Sequence, residues 1–174
     1  MALTKVLTGG IALDAVDNTI LKLDDDYALT GTVTGAGKIL QVLQATDETQ
    51  RTVNSTSYDA RSSSLSVAIT PAASTSKFLV SFDTESYNAQ NSVSLYVTIF
   101  RDSTDIGHSS GYGLARVFSS ASDISVGANG VKLDSPSTDS EITYTVQTKL
   151  STGTGPAYIN SQSIGTLTVM EVAG

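Results

Sequence analysis

The chain reads as an all-β protein, an antiparallel jelly-roll-like β-sandwich preceded by an N-terminal arm. Three observations carry that reading. Segments in which apolar and polar side chains alternate recur from Lys38 to the C-terminus, the spacing of strands with one face on a core. Turn formers separate them, at Thr70-Pro71, Asn88 to Asn91, Arg101 to Asp105, Gly127 to Gly130, Ser135-Pro136 and Gly153 to Pro156. No stretch after Lys38 has the period of a helix of about ten residues or more, and roughly eight to ten short strands at this spacing pack as two sheets.

Residues 1–37 differ from the rest of the chain. They hold short apolar pairs, an acidic run at Asp24, Asp25 and Asp26, and glycines at 35 and 37. They are expected to form an arm joined by a flexible link to the domain at 38–174, the alternative being an extra strand or two on the same sheet. KILQVLQAT from Lys38 opens the sandwich, TVNSTSY from Thr52 follows, and LSVAIT sets Leu65, Val67 and Ile69 on one face. KFLVSFDTESY from Lys77 is the next strand. In SVSLYVTIF, Val93, Leu95, Val97 and Ile99 share one face while Ser94, Tyr96, Thr98 and Phe100 share the other. Both faces are bulky, so the second is expected under another sheet or a neighbouring subunit, which makes Tyr96 and Phe100 candidate subunit-interface residues. SDISV and VKLDS read as two short strands about the Gly127 to Gly130 turn. EITYTVQTKL places Ile142, Tyr144 and Val146 on one face. AYINSQ and the terminal TLTVMEV complete the set, with Met170 expected inside and Glu171 outside.

Composition bounds the function. At 174 residues the chain can bury a core of its own, and 40% hydrophobic residues argue against disorder. Ser and Thr together make up roughly a quarter of it, far above the ordinary share, so the surface is dressed in hydroxyls. The net charge of -7 and pI near 4.4 leave no basic stripe, so neither nucleic acid nor an anionic membrane is an expected partner. No apolar run approaches the ~18 residues of a membrane span, and the N-terminus lacks a leader pattern. With no Cys there is neither a disulfide nor a thiolate metal site.

Motifs for chemistry are weak. Gly107-His-Ser-Ser-Gly111 matches the G-x-S-x-G nucleophile elbow in letters, but that elbow needs a strand-to-helix turn and a later His, and His108 within the motif is the only His. Consecutive carboxylates at Asp24 to Asp26 lack the alternating calcium-loop pattern, and Asp102 and Asp105 suit turn capping. No catalytic residue, metal or cofactor is expected. Tyr58, Tyr87, Tyr112 and Tyr158 fall at expected strand ends or loops, where rings stack on sugars or anchor interfaces. Tyr112 and Tyr158 are the ligand-loop candidates, in the stretches Ser109 to Tyr112 and Gly153 to Tyr158.

Taken in order, KILQVLQAT, LSVAITPAASTSKFLVSF, LYVTIFRDSTDIG, LDSPSTDSEITYTVQTKL, AYIN and TLTVMEVAG resemble a domain of virion structural proteins of tailed bacteriophages, especially marine ones. The resemblance covers residues 38 to 174 and rests on the order and spacing of short pieces. It implies a trimerising jelly roll of capsid decoration, head-fibre or tail-fibre type, and supplies no catalytic residues. The chain lacks the long repetitive shaft of fibre members. The expectation is therefore a capsid decoration or head-accessory protein, assembled into virions in the host cytoplasm as a homotrimer. Its partner would be the major capsid protein or another virion protein, held through the arm, with Val16, Ile20, Leu21 and Leu23 as particle-contact candidates. The alternative is a short tail or head fibre that binds a host surface glycan through loops of the sandwich.

Overall fold

A computed structural model describes residues 38–59, 62–120, 123–153 and 155–174; the expected arm, with Val16, Ile20, Leu21 and Leu23, lies outside the described residues. Residues 37–174 make up one compact unit. Its strands are β1 (Ile39–Asp47), β2 (Arg51–Val53), β3 (Ser66–Ile69), β4 (Lys77–Asn88), β5 (Ser94–Arg101), β6 (Thr104–Asp105), β7 (Ala115–Phe118), β8 (Ile124–Asp134), β9 (Ile142–Leu150), β10 (Ala157–Ile159) and β11 (Gly165–Val172).

The pairing is nested. β1 pairs with β11, β2 with β10, β3 with β9, β4 with β8 and β5 with β7, all antiparallel. The run from β1 to β11 is thus one long hairpin, with its tip in the segment between β5 and β7, wrapped so that successive pairs are shared between two sheets. Sheet A holds β1, β2, β4, β8, β10 and β11; sheet B holds β3, β5, β6, β7 and β9. The wrap is closed by β4 against β11 and β10, and by β5 against β9. This is the jelly-roll form of the antiparallel sandwich, in which wrapping leaves few long free edges.

Alternation decides which residues fill the space between the sheets. Phe78, Val80 and Phe82 from β4 and Leu167 and Val169 from β11 meet Val67, Ile69, Leu95, Val97, Ile99, Tyr144 and Val146 from sheet B, all buried. Two polar groups fasten this core. The Asp134 carboxylate on β8 accepts two bonds from Arg101 Nη1 on β5, at 2.8 and 2.7 Å, and one from the Tyr144 hydroxyl on β9 at 2.8 Å, joining the sheets. Burial and the bond to Asp134 push the Tyr144 hydroxyl pKa well above its ordinary value. Asp47, at the end of β1, accepts from Arg51 Nε at 3.1 Å, Thr49 N at 3.0 Å and Ser64 N at 3.2 Å. Burial opposes ionisation there, but these bonds prevail and hold its carboxyl well below the usual range.

Three expectations are corrected. Gly127 to Gly130 is the middle of one long strand, because β8 runs unbroken against β4 from Ile124 to Asp134. Gly130 serves room rather than a turn: a Cβ there would stand 2.6 Å from Phe82 Cε1 and 2.9 Å from Leu114 Cβ. In β11, Glu171 points inward and is fully buried, while Met170 is half-exposed on the outer face. The Glu171 carboxylate accepts from Gln41 Nε2 at 2.6 Å and from Ala72 N at 2.7 Å, so it satisfies the turn after β3 rather than meeting water. Lastly, β5 is covered on its second face by its own chain, through the stretch that leads from β6 to β7.

Candidate interaction surface

The outer face of sheet B is covered over β5, while Ser66 and Ala68 of β3 and Arg116 and Phe118 of β7 stay exposed. The stretch from Ile106 to Leu114 lies flat against β5: Leu114 N donates to Val97 O at 2.8 Å, and a Cβ on Gly113, whose φ is +72°, would stand 2.5 Å from that same oxygen. Asp105 Oδ1 pins the stretch by accepting from Thr98 Oγ1 at 2.7 Å and Gly107 N at 2.8 Å. The Tyr112 ring lies 5.5 Å from Tyr96, and Tyr58 sits edge-on to Phe100 at 5.5 Å with its hydroxyl donating to Gly111 O. Lys149 Nζ stands 4.4 Å from the Tyr58 centroid. Burial, with the nearby Asp105 charge, pushes the Tyr58 hydroxyl well above its ordinary value. Tyr96 is left 7% exposed and Phe100 half-buried, so the second face of β5 needs no neighbouring subunit to cover it. The Gly107 to Gly111 stretch is a turn here, with Ser110 N donating to His108 Nδ1, and no helix follows it.

The outer face of sheet A is open, and its register sorts it into rows. Because Phe78, Val80 and Phe82 point inward, Leu79, Ser81, Asp83, Glu85 and Tyr87 of β4 point outward. Leu79 is paired with Met170 on one side and Leu133 on the other, and Met170 with Val42, so one apolar row crosses β1, β11, β4 and β8. Val42 is 50%, Leu79 37% and Leu133 56% exposed, and Val131 and Ile39 extend the patch at 62% and 53%. Contiguous apolar surface of this kind marks an interaction site. A polar belt follows, with Thr166, Asp83 and Asn129 in register. At the far end Thr52, Tyr158, Tyr87 and Ser125 form a further row.

That aromatic end is bound into a rigid wall. The Glu85 carboxylate accepts from Ser125 Oγ at 2.5 Å, Ser161 N at 2.7 Å and Gln162 N at 2.9 Å, which moors the β10–β11 connection. Burial would raise the Glu85 pKa, and these hydrogen bonds overcome that and lower it. Tyr87 donates its hydroxyl to Asp123 Oδ1 at 2.5 Å, which keeps its proton on to higher pH.

Of the residues read from sequence, Tyr112 and Tyr158 prove to stand on opposite outer faces and cannot meet one ligand together. Tyr87 and Tyr158 are brought side by side, with ring centroids 5.9 Å apart. The apolar row was not legible: the alternation in VKLDS by itself turns Val131 and Leu133 inward. Only the pairing of Asp134 with Arg101 and Tyr144 fixes the opposite face. Among the described residues no group of three or more His, Cys, Asp or Glu is placed to hold a metal ion. No family model and no curated protein sequence matches the chain.

Proposed function

We propose that this protein is a structural component of a tailed-bacteriophage virion, a capsid decoration or head-accessory protein. In this reading it forms a homotrimer and docks on the particle through residues 1–37. The observation that carries the reading is the apolar row Val42, Met170, Leu79 and Leu133, aligned in register across four strands of an otherwise hydroxyl-rich surface. A solvent-exposed row of this kind is costly unless covered, since each Leu or Val fully buried contributes about 1.5–3 kcal/mol. On the outer face of sheet B, by contrast, the chain itself covers β5 and leaves Tyr96 7% exposed.

The work of such a protein is mechanical. Copies bury the apolar row of sheet A against one another, and the segment ahead of β1 is left to bridge shell proteins. The wrapped hairpin suits that load, since both chain ends of the sandwich lie in the paired strands β1 and β11. Light scattering on the full chain tests the oligomer: the expected mass is three times the 18.1 kDa of the chain. Co-sedimentation with particles tests the docking, which is expected to be lost when residues 1–37 are deleted. Particles that are still decorated by the truncated protein would show that the arm is not the anchor.

A further inference from the structure

We infer that the groove beside Tyr87 and Tyr158, on the outer face of sheet A, is a binding site for a neutral carbohydrate. The two tyrosines are direct cross-strand partners on β4 and β10, and their rings are tilted 35° to one another with centroids 5.9 Å apart. They form a shallow half-exposed platform within a cavity of about 520 Å³ that Gln50, Ala89, Ser161 and Gln162 complete. A second concavity of about 250 Å³ shares Ser161 and Gln162 with it and continues past Glu48 and Asn160 to Ile164. The first has the volume of an ordinary small-ligand cleft.

The chemistry of the lining selects the ligand. One face of a pyranose is a patch of C–H groups, which lies well on an aromatic ring, while its edge is a row of hydroxyls needing both donors and acceptors. Side-chain amides supply both at once, and Gln50 and Gln162 stand exposed at the rim. Among the described residues no Lys or Arg lines either concavity, and the acidic side chains Glu48, Glu85 and Asp123 stand in or behind the walls, which disfavours an anionic sugar. The platform is preorganised: the Tyr87 hydroxyl is tied to Asp123, and the Ser161 to Gln162 wall hangs from Glu85. This site is independent of the virion assignment. It also lies at the opposite end of sheet A from the apolar row, so association through that row leaves it free.

The test is binding of the labelled full chain to a printed array of neutral and acidic oligosaccharides. Neutral glycans are expected to be retained, and Tyr158→Ala to weaken them by about tenfold or more, the scale of losing an aromatic stack and the contacts around it. Gln162→Ala, on an exposed connection, is expected to weaken the same glycans several-fold, whereas Tyr112→Ala on the other face leaves them unchanged. Circular dichroism checks that each variant is folded; should Tyr158→Ala fail that check, Gln162→Ala decides. An empty array, retention of acidic glycans alone, or binding undiminished in the folded variants would overturn the inference.

Discussion

Glu171 illustrates how much one buried carboxylate can hold. It has no exposure, yet burial, which would raise its pKa, is outweighed by hydrogen bonding from the Gln41 amide and the Ala72 N–H, so the pKa is lowered from its usual 4.5. A lowered folded-state pKa means that the ionised form is favoured by folding. The stability it contributes is present above about pH 4.5 and is lost as pH falls through the folded value. Glu85 is shifted in the same direction from the same ordinary value, and Asp47, also lowered, loses its contribution further down, below about pH 3.8. The urea midpoint is therefore expected to fall steeply as the pH is taken from neutral to below about 4. Glu171→Ala, which strips the Ala72 N–H of its acceptor, is expected to cost about 1–3 kcal/mol at neutral pH. The gap between variant and parent should narrow in acid, and a gap independent of pH would contradict this role.

At the scale of elements, the strands were legible and their faces were not. Alternation located β1, β3, β4, β5, β9 and β11, because period-2 patterning is a property of the local chain. It missed β7, whose four residues give too short a pattern, and it split β8 at two glycines. Those glycines look like turn formers until Phe82 is placed opposite, and that placement is tertiary. The two are expected to behave differently. Gly130→Ala drives a methyl group into the Phe82 ring and should cost about 1–3 kcal/mol. Gly127→Ala meets nothing within 4 Å and should stay within about 0.5 kcal/mol of the parent by urea unfolding. Equal costs would mean that β8 is not held against β4 in this register. The site residues were legible in the same partial way. Tyr158 stood out as an aromatic beside a turn, whereas its partnership with Tyr87, the Gln50 and Gln162 rim and the apolar row depend on cross-strand register, which no single segment encodes.

At the scale of the sandwich, the nested hairpin covers β5 on the outer face of sheet B with its own β5–β7 segment and leaves the apolar row of sheet A exposed. That cover leaves Tyr96 and Phe100 little exposed, whereas Leu79, Val131 and Leu133 stay exposed. The register sorts sheet A into two separate ends, one apolar and one aromatic and polar. Deleting residues 1–37 is expected to leave an oligomer of the same order, since the apolar row belongs to strands of the remaining unit. Whether the outer face of sheet A joins copies of this chain is tested most directly by light scattering on the full chain beside a Val131→Asp, Leu133→Asp double variant. Three times the 18.1 kDa chain mass is expected for the parent and the chain mass for the folded variant. A parent that runs as a monomer, or a trimer that the two aspartates leave intact, would contradict it.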